Sequence, residues 1–264
     1  MANDIHPTAV IADQAQLGTD NRIGPYVVIE ADTVIGNGNT FGAHAVIKRR
    51  TRIADNNTIA EHAVLGGLPQ DLGFKERDTD VVIGSGNVLR ENVTINRATK
   101  ENGATRLGDD NYFMTQVHIG HDCQIGNNVI IAPSTGIGGH VHIHDRAFIS
   151  GGVMVHQFSR IGSFAMIGGN SKITRDALPF FMTDGVPASV RGLNMVGLKR
   201  AGFKLEDIRA LKEAYRILFD NRLSLEARLS KTGAIENIHV EQLVEFIAAS
   251  KRGFHRDKPD FRAE

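Results

Sequence analysis

Five histidines, His121, His140, His142, His144 and His156, fall between Ile119 and Ile161, among short aliphatic and glycine-rich segments. Asp122 follows His121, and Gly138 and Gly139 precede His140. A histidine beside a carboxylate, near backbone N–H groups, is the kit for acyl transfer. The imidazole takes a proton from the attacking group, the carboxylate orients and stabilises the imidazolium, and an N–H polarises the carbonyl. Clustered histidines can also hold zinc. Which chemistry applies depends on which of these side chains share a surface, and so on the elements that carry them.

Those elements announce themselves as a repeat. Stepping by six from Ile5 to Ile173, 26 of 29 positions are aliphatic or Phe, far above what a chain with 41% hydrophobic residues gives by chance. The fifth residue of each hexad is small or β-branched, as at Ala9, Val27, Thr33, Val117, Cys123 and Val141, and glycine often follows the aliphatic residue. Asn21, Asn39 and Asn57 share one column at a spacing of 18, which predicts a stacked ladder of side-chain amides.

A period of six fits neither an α-helix nor a simple alternating strand. It fits three short β segments per coil, with successive coils paired as parallel strands about 4.8 Å apart. The period does not encode a hand, but families with this hexad wind left-handed, against the usual crossover rule. The expected fold is therefore mainly β: a left-handed parallel β-helix of hexapeptide repeats over residues 1–190.

The misses at Asp71, Arg77 and Glu101 mark two excursions, Gly66–Val82 and Arg97–Arg106, where binding loops are expected. After Asp176 the hexads stop, and Pro179 and Pro187 bracket what reads as an irregular link. Apolar residues at helical spacing then predict helices over Leu205–Asp220, from Ser224 to about Gly233, and over about Val240–Lys251. A small C-terminal α-helical domain over 191–264 would cover the open end of the solenoid.

Composition narrows the function. Lys plus Arg equals Asp plus Glu at 30 each, so no global field favours nucleic acid or an anionic membrane. No apolar run is long enough to span a membrane, so no stable insertion is expected. The N-terminus has no signal-peptide pattern. One cysteine, Cys123, fits a reducing compartment, and the cytoplasm is the expected location.

With 18 residues to a coil, residue n lies beside n+18. That places Gly139 beside His121 and Gln157 beside Gly139, Asp122 beside His140, and Gly138 beside His156, as one patch on three consecutive coils. Cys123 belongs to the inward column and should be unreactive, which favours direct transfer without a covalent enzyme intermediate. Zinc-binding hexapeptide carbonic anhydrases use an H-x4-H spacing that is missing here, since the fifth residue after His118 is Cys123. No Walker or Rossmann motif is present. A basic stretch from Gly197 to Gly202, with Lys204, Arg209, Lys212 and Arg216, could receive a phosphate or an acidic protein.

The chain resembles the UDP-N-acetylglucosamine O-acyltransferases, the hexapeptide-repeat family that starts lipid A synthesis in Gram-negative bacteria. The resemblance covers nearly the whole chain. It is carried by IHPTAVI at the start, PQDL at Pro69–Leu72, HIGHDC at His118–Cys123, GGHV at Gly138–Val141, VHQF at Val155–Phe158 and GLNMVGLKRAGF at Gly192–Phe203.

The resemblance implies a homotrimer with active sites between subunits. It implies transfer of an (R)-3-hydroxyacyl chain from the phosphopantetheine of acyl carrier protein to the sugar 3-position of a UDP-sugar, with no metal or other cofactor. It further implies His121 as general base, Asp122 as its orienting partner and the Gly139 N–H as oxyanion donor. Gln70, Asp71, His118, His140, His156 and Gln157 would line the cleft, and Asn194 and Arg200 would approach the nucleotide or phosphopantetheine. Gly169 matches the position that gauges acyl length, and a glycine there implies a long chain rather than a ten-carbon one.

Two positions depart from the family pattern. Gly73 stands where a lysine is common, and Val196 where many members carry glutamate. A branch that acylates the 3-amino sugar analogue shares some of these changes, so both a hydroxyl and an amine stay open as acceptors. The sister N-acyltransferase of the pathway carries an additional N-terminal uridine-binding domain, whereas the hexads here begin at Ile5. A histidine-bearing hexapeptide solenoid would also suit a zinc hydratase or a non-catalytic scaffold.

Overall fold

The structure, a computed structural model, describes residues 2–256. Short strands, mostly of two residues, recur every six residues from Asp4 to Ile173, interrupted by two excursions, and stack into three parallel sheets. The result is the expected left-handed parallel β-helix. In each two-residue strand the first residue points outward and the second inward. The column Ile119, Ile137 and Val155 is buried throughout. Burying one large aliphatic side chain per strand, at about 25 cal/mol per Å² of apolar area, is the main force holding the prism together.

The amide ladder is longer than the predicted three residues. Nδ2 of Asn39 donates to Oδ1 of Asn21, and the pattern continues from Asn57 to Asn39, Asn87 to Asn57 and Asn111 to Asn87 at 2.9–3.2 Å. The last two steps span 30 and 24 residues instead of 18. The excursions therefore add whole hexads, two and then one. This is why the step of six stays in phase across them while the n+18 rule fails there.

Both excursions are shorter than predicted. The first is flanked by strands Val64–Gly67 and Asp80–Ile83, and the second by Thr94–Asn96 and Ala104–Leu107, so pairing reaches into both predicted segments.

The link after Asp176 is not irregular. Phe181–Asp184 continues one sheet in parallel, and Ser189–Leu193 returns antiparallel to it. This hairpin caps the sheet edge, and residue 190 falls within its second strand. Four helices follow: α1 (Met195–Arg200), α2 (Leu205–Leu218), α3 (Leu225–Gly233) and α4 (Ile238–Ala248). The unpredicted α1 is capped by Asn194, whose side chain accepts from the Gly197 N–H. Ser224 caps α3 as expected, and α4 starts two residues before the predicted Val240. A second apolar core joins Leu178, Phe180, Phe181 and Val190 to Leu198, Leu211, Leu243 and Phe246. Residues 257–264 of the expected C-terminal domain lie outside the described residues.

No helix among the described residues is long and apolar enough to cross a membrane.

Candidate active site

His121 and Asp122 occupy one corner of the prism, where the backbone turns between two sheets. Asp122, His140 and Phe158 take the left-handed conformation there, with φ of 60°, 59° and 65°. Aspartate tolerates this region better than most residues. Successive coils thereby stack two side-chain columns. In one, Asp122, His140 and Phe158 follow each other, and the rings of His140 and Phe158 lie parallel with centroids 4.5 Å apart. In the other, His121, Gly139 and Gln157 follow each other.

His121 Nδ1 lies 2.8 Å from Asp122 Oδ2, and both side chains are nearly buried, at 13% and 11% exposure. The same carboxylate oxygen accepts the Thr99 N–H at 3.0 Å and the Thr99 hydroxyl at 2.7 Å. The Asp122 N–H donates to Thr105 Oγ1 at 2.8 Å. Burial alone would raise the Asp122 pKa. The hydrogen bonds from His121 and Thr99, with the nearby His140, outweigh it and hold the carboxyl below its ordinary range. An ionised carboxylate only accepts, so Nδ1 of His121 carries the hydrogen, and in the neutral imidazole this leaves the lone pair on Nε2.

Gly139 follows His121 one coil later. A Cβ on Gly139 would stand 2.5 Å from His121 Cε1 and 2.6 Å from Nε2, so any side chain there would force the imidazole to move. Its carbonyl accepts the Phe158 N–H at 3.0 Å, while its own N–H has no acceptor among the described residues. A lone pair and a donor therefore sit side by side.

They open into a groove of about 340 Å³ lined by Gln70, Asn96, His118, His121, Gly138, Gly139, Met154 and Gln157 among others. Its end toward the N-terminal coils is polar, with Gln70, Asn96 and His118. Beyond Gly139 the exposed Met154 side chain lies over Gly136. His118 Nδ1 pairs with Thr94 Oγ1 at 2.8 Å, and burial, assisted by His121, lowers its pKa. Burial likewise lowers that of His140 against the pull of Asp122.

Other expected site residues lie further out. Asp71 sits on the exposed first excursion, near enough to act electrostatically on His140. His156 is exposed, with Nδ1 3.0 Å from the Gln157 carbonyl. Asn194 uses both ends of its amide locally, donating to the Phe164 carbonyl at 2.9 Å and capping α1. Arg200 is exposed in the last turn of α1. Gly169 stands in the column of Pro133 and Gly151, at a different corner from His121, and a Cβ there would meet nothing closer than 3.6 Å. Within one chain these last three do not join the groove.

Thr99, Thr105, Asn96 and Met154 also shape the site and are not among the expected site residues. Thr99 and Asn96 reach the site across an inserted hexad, where a spacing of 18 does not apply. Met154 does carry a sequence signal, as the outward residue one coil above Gly136.

His121, Asp122 and His140 also bring three potential ligand atoms within 4.8 Å of one another. Asp122 Oδ2 already accepts from His121 and twice from Thr99, so a cation on that oxygen would compete with three donors. Cys123 is buried, with Sγ 3.1 Å from the Gly138 carbonyl, and burial pushes its thiol up to about 12. It is no nucleophile at neutral pH.

Comparison with known proteins supplies the context. Residues 176–255 match the family model described as UDP N-acetylglucosamine O-acyltransferase, domain 2. Residues 32–67 and 104–139 match the bacterial transferase hexapeptide model. The chain is 48% identical over 259 residues to an acyl-[acyl-carrier-protein]–UDP-N-acetylglucosamine O-acyltransferase of Paraburkholderia phymatum, covering 96% of this chain and 99% of that one. It is 44% identical over 199 residues to the enzyme of that name from Burkholderia orbicola, covering 73% and 76%. Among solved structures it is similar to the UDP-N-acetylglucosamine acyltransferase of Francisella novicida, at TM-score 0.93 and 37% identity, over 96% of this chain and 94% of that one. It is also similar to that of Bacteroides fragilis, at TM-score 0.92 and 38% identity, over 96% and 100%.

Proposed function

The chain belongs to the acyl-[acyl-carrier-protein]–UDP-N-acetylglucosamine O-acyltransferase family, and from that premise we propose how its residues carry out the transfer. It moves an acyl chain from acyl carrier protein to UDP-N-acetylglucosamine in lipid A biosynthesis. The relatives' names specify O-acylation, so the 3-amino acceptor raised by Gly73 and Val196 is not favoured.

His121 Nε2 takes the proton of the sugar 3-hydroxyl as its oxygen attacks the thioester carbonyl of the (R)-3-hydroxyacyl donor. Asp122 holds the imidazole in the required tautomer and stabilises the imidazolium. The Gly139 N–H donates to the tetrahedral oxyanion. Collapse breaks the C–S bond, and the imidazolium returns its proton to the departing thiolate. The products are ester and free thiol, with no enzyme-bound acyl group and no metal. The observation that carries this mechanism is the adjacency of the His121 lone pair and the unpaired Gly139 N–H.

Gln70, His118 and Gln157 line the groove and bind substrate there, with Asp71, His140 and His156 at its margins. Asn194, Arg200 and Gly169 contribute from a neighbouring subunit of a homotrimer. In support, one sheet carries an outward apolar row of Tyr112, Ile130, Phe148 and Met166 in register across four coils, suited to burial between protomers. The single buried cysteine fits a cytoplasmic location.

The test offers purified protein UDP-N-acetylglucosamine or its 3-amino analogue, with acyl carrier proteins of several chain lengths, and identifies the products by mass. An ester on UDP-N-acetylglucosamine is expected. Acylation of the amine alone would contradict the proposed acceptor.

A further inference from the structure

Arg97 is the bulkiest of the fully buried side chains, at 2% exposure, and no step above uses it. Burying a guanidinium is costly unless it is paired. Among the described residues, its side-chain hydrogen bonds and ring contact all fall on one stretch of the first excursion. Nη2 donates to Glu76 Oε1, Nη1 donates to the Arg77 carbonyl at 3.4 Å, and Cζ lies 5.7 Å from the Phe74 ring centroid. The Arg97 backbone N–H donates to the Gly67 carbonyl at 2.9 Å, where the excursion begins. One residue thus grips the loop at its root and on its returning limb.

The tip between those points has mostly local bonds. The Gly73 N–H donates to Asp71 Oδ1 at 2.8 Å and the Phe74 N–H to the Asp71 carbonyl at 3.0 Å, while Leu72 is fully exposed. Yet this tip brings Gln70 to the polar end of the groove, with Asn96 and His118, the end whose hydrogen-bonding groups suit the UDP-sugar acceptor, while the exposed Met154 at the other end suits the acyl chain. Asn96 immediately precedes Arg97, and Thr99, which holds Asp122, lies two residues after it. Thr99 binds Asp122 through its own N–H and hydroxyl, whereas the Arg97 side chain binds only the loop.

We infer that Arg97 is a positioning residue. It fixes the first excursion so that Gln70 reaches the acceptor end of the groove, and so sets affinity for the UDP-sugar and not for the acyl donor. The inference builds on the acyl-transfer function proposed above. Were Arg97 only a structural filler, its loss would affect both substrates alike.

The test uses the full-length protein and the variants Arg97→Ala, Arg97→Lys and Glu76→Gln, with UDP-N-acetylglucosamine and an acylated carrier. Arg97→Ala should raise KM for the UDP-sugar about tenfold, leaving KM for the carrier and kcat within about threefold. Arg97→Lys should fall between it and wild type, since lysine keeps the charge but loses the forked contacts. Glu76→Gln, on an exposed residue whose change leaves the core intact, should shift the same KM by a smaller factor.

Trypsin gives a readout independent of activity, because Lys75 and Arg77 are exposed on the loop. UDP-N-acetylglucosamine should slow cleavage there in wild type, and in Arg97→Ala cleavage should quicken and lose that protection. Equal rises in both KM values, or unchanged KM values despite faster cleavage, would overturn the positioning role alone. A wild-type chain that makes no acylated UDP-N-acetylglucosamine would instead overturn the proposed function on which it builds.

Discussion

Gly139 lies so close over the His121 ring that a Cβ would stand 2.5 Å from Cε1, and its N–H has no acceptor among the described residues. Base and oxyanion donor are thus set by the coil repeat itself. Gly139→Ala should force the imidazole out of place and lower kcat by at least about 100-fold, on the scale of losing an oxyanion donor. Retention of wild-type kcat would mean that the ring position is not critical.

Thr99→Val removes one hydroxyl donor to Asp122 and leaves the backbone donor in place. A hydrogen bond to a charged group contributes about 1.5–3 kcal/mol. Steady-state kinetics should show kcat reduced about tenfold or more with KM values little changed. An equal loss in Thr105→Val, which touches only the Asp122 backbone, would argue that general loosening is responsible.

His118 and His140 are both held below the free histidine value, chiefly by burial. Between their folded values and the ordinary value of about 6.5, the unfolded chain binds more protons. Their contribution to stability is therefore complete above about pH 6.5 and is lost as pH falls through the folded values. Thermal unfolding should show a plateau above about pH 7 and a declining midpoint below about pH 6.5. His118→Gln should flatten that decline. Asp122 has the usual carboxylate sense, with stability lost only in stronger acid.

Asn87→Ala strips an interior rung from the ladder and leaves the amides of Asn57 and Asn111 without that partner. Unsatisfied buried polar groups cost about 1–3 kcal/mol each. Thermal unfolding should show a clear loss of stability, while activity below the transition stays near wild type. A simultaneous loss of kcat would show that the ladder also shapes the site.

The ladder also shows what the sequence reveals and what it hides. The step of six makes the coils, the inward column and the stacking of His121 on Gly139 legible, because parallel strands repeat one geometry. The links to Thr99, Asn96 and Arg97 are not legible. Insertions of two hexads and one hexad keep the phase but change the spacing across coils to 30 and 24. The hairpin Phe181–Leu193 is hidden for another reason, since its strands pair once and follow no repeat. Asn194, grouped with the site by resemblance, has its amide committed to a helix cap.

Gly169, exposed within one chain and with nothing closer than 3.6 Å to where a Cβ would stand, is proposed to leave room for a long acyl tail. Gly169→Met should shift product masses toward shorter chains when carriers of mixed length compete. An unchanged distribution would remove Gly169 from the acyl site.

The central claim is that His121 is the base for direct transfer. It is tested most directly by the turnover of His121→Ala with acylated carrier protein and UDP-N-acetylglucosamine, with folding and oligomeric state checked in the same preparation. The mechanism predicts a fall of about 1,000-fold or more in kcat with the assembly intact, within the range of losing a general base and its partner's support. Turnover within a few-fold of wild type would contradict it.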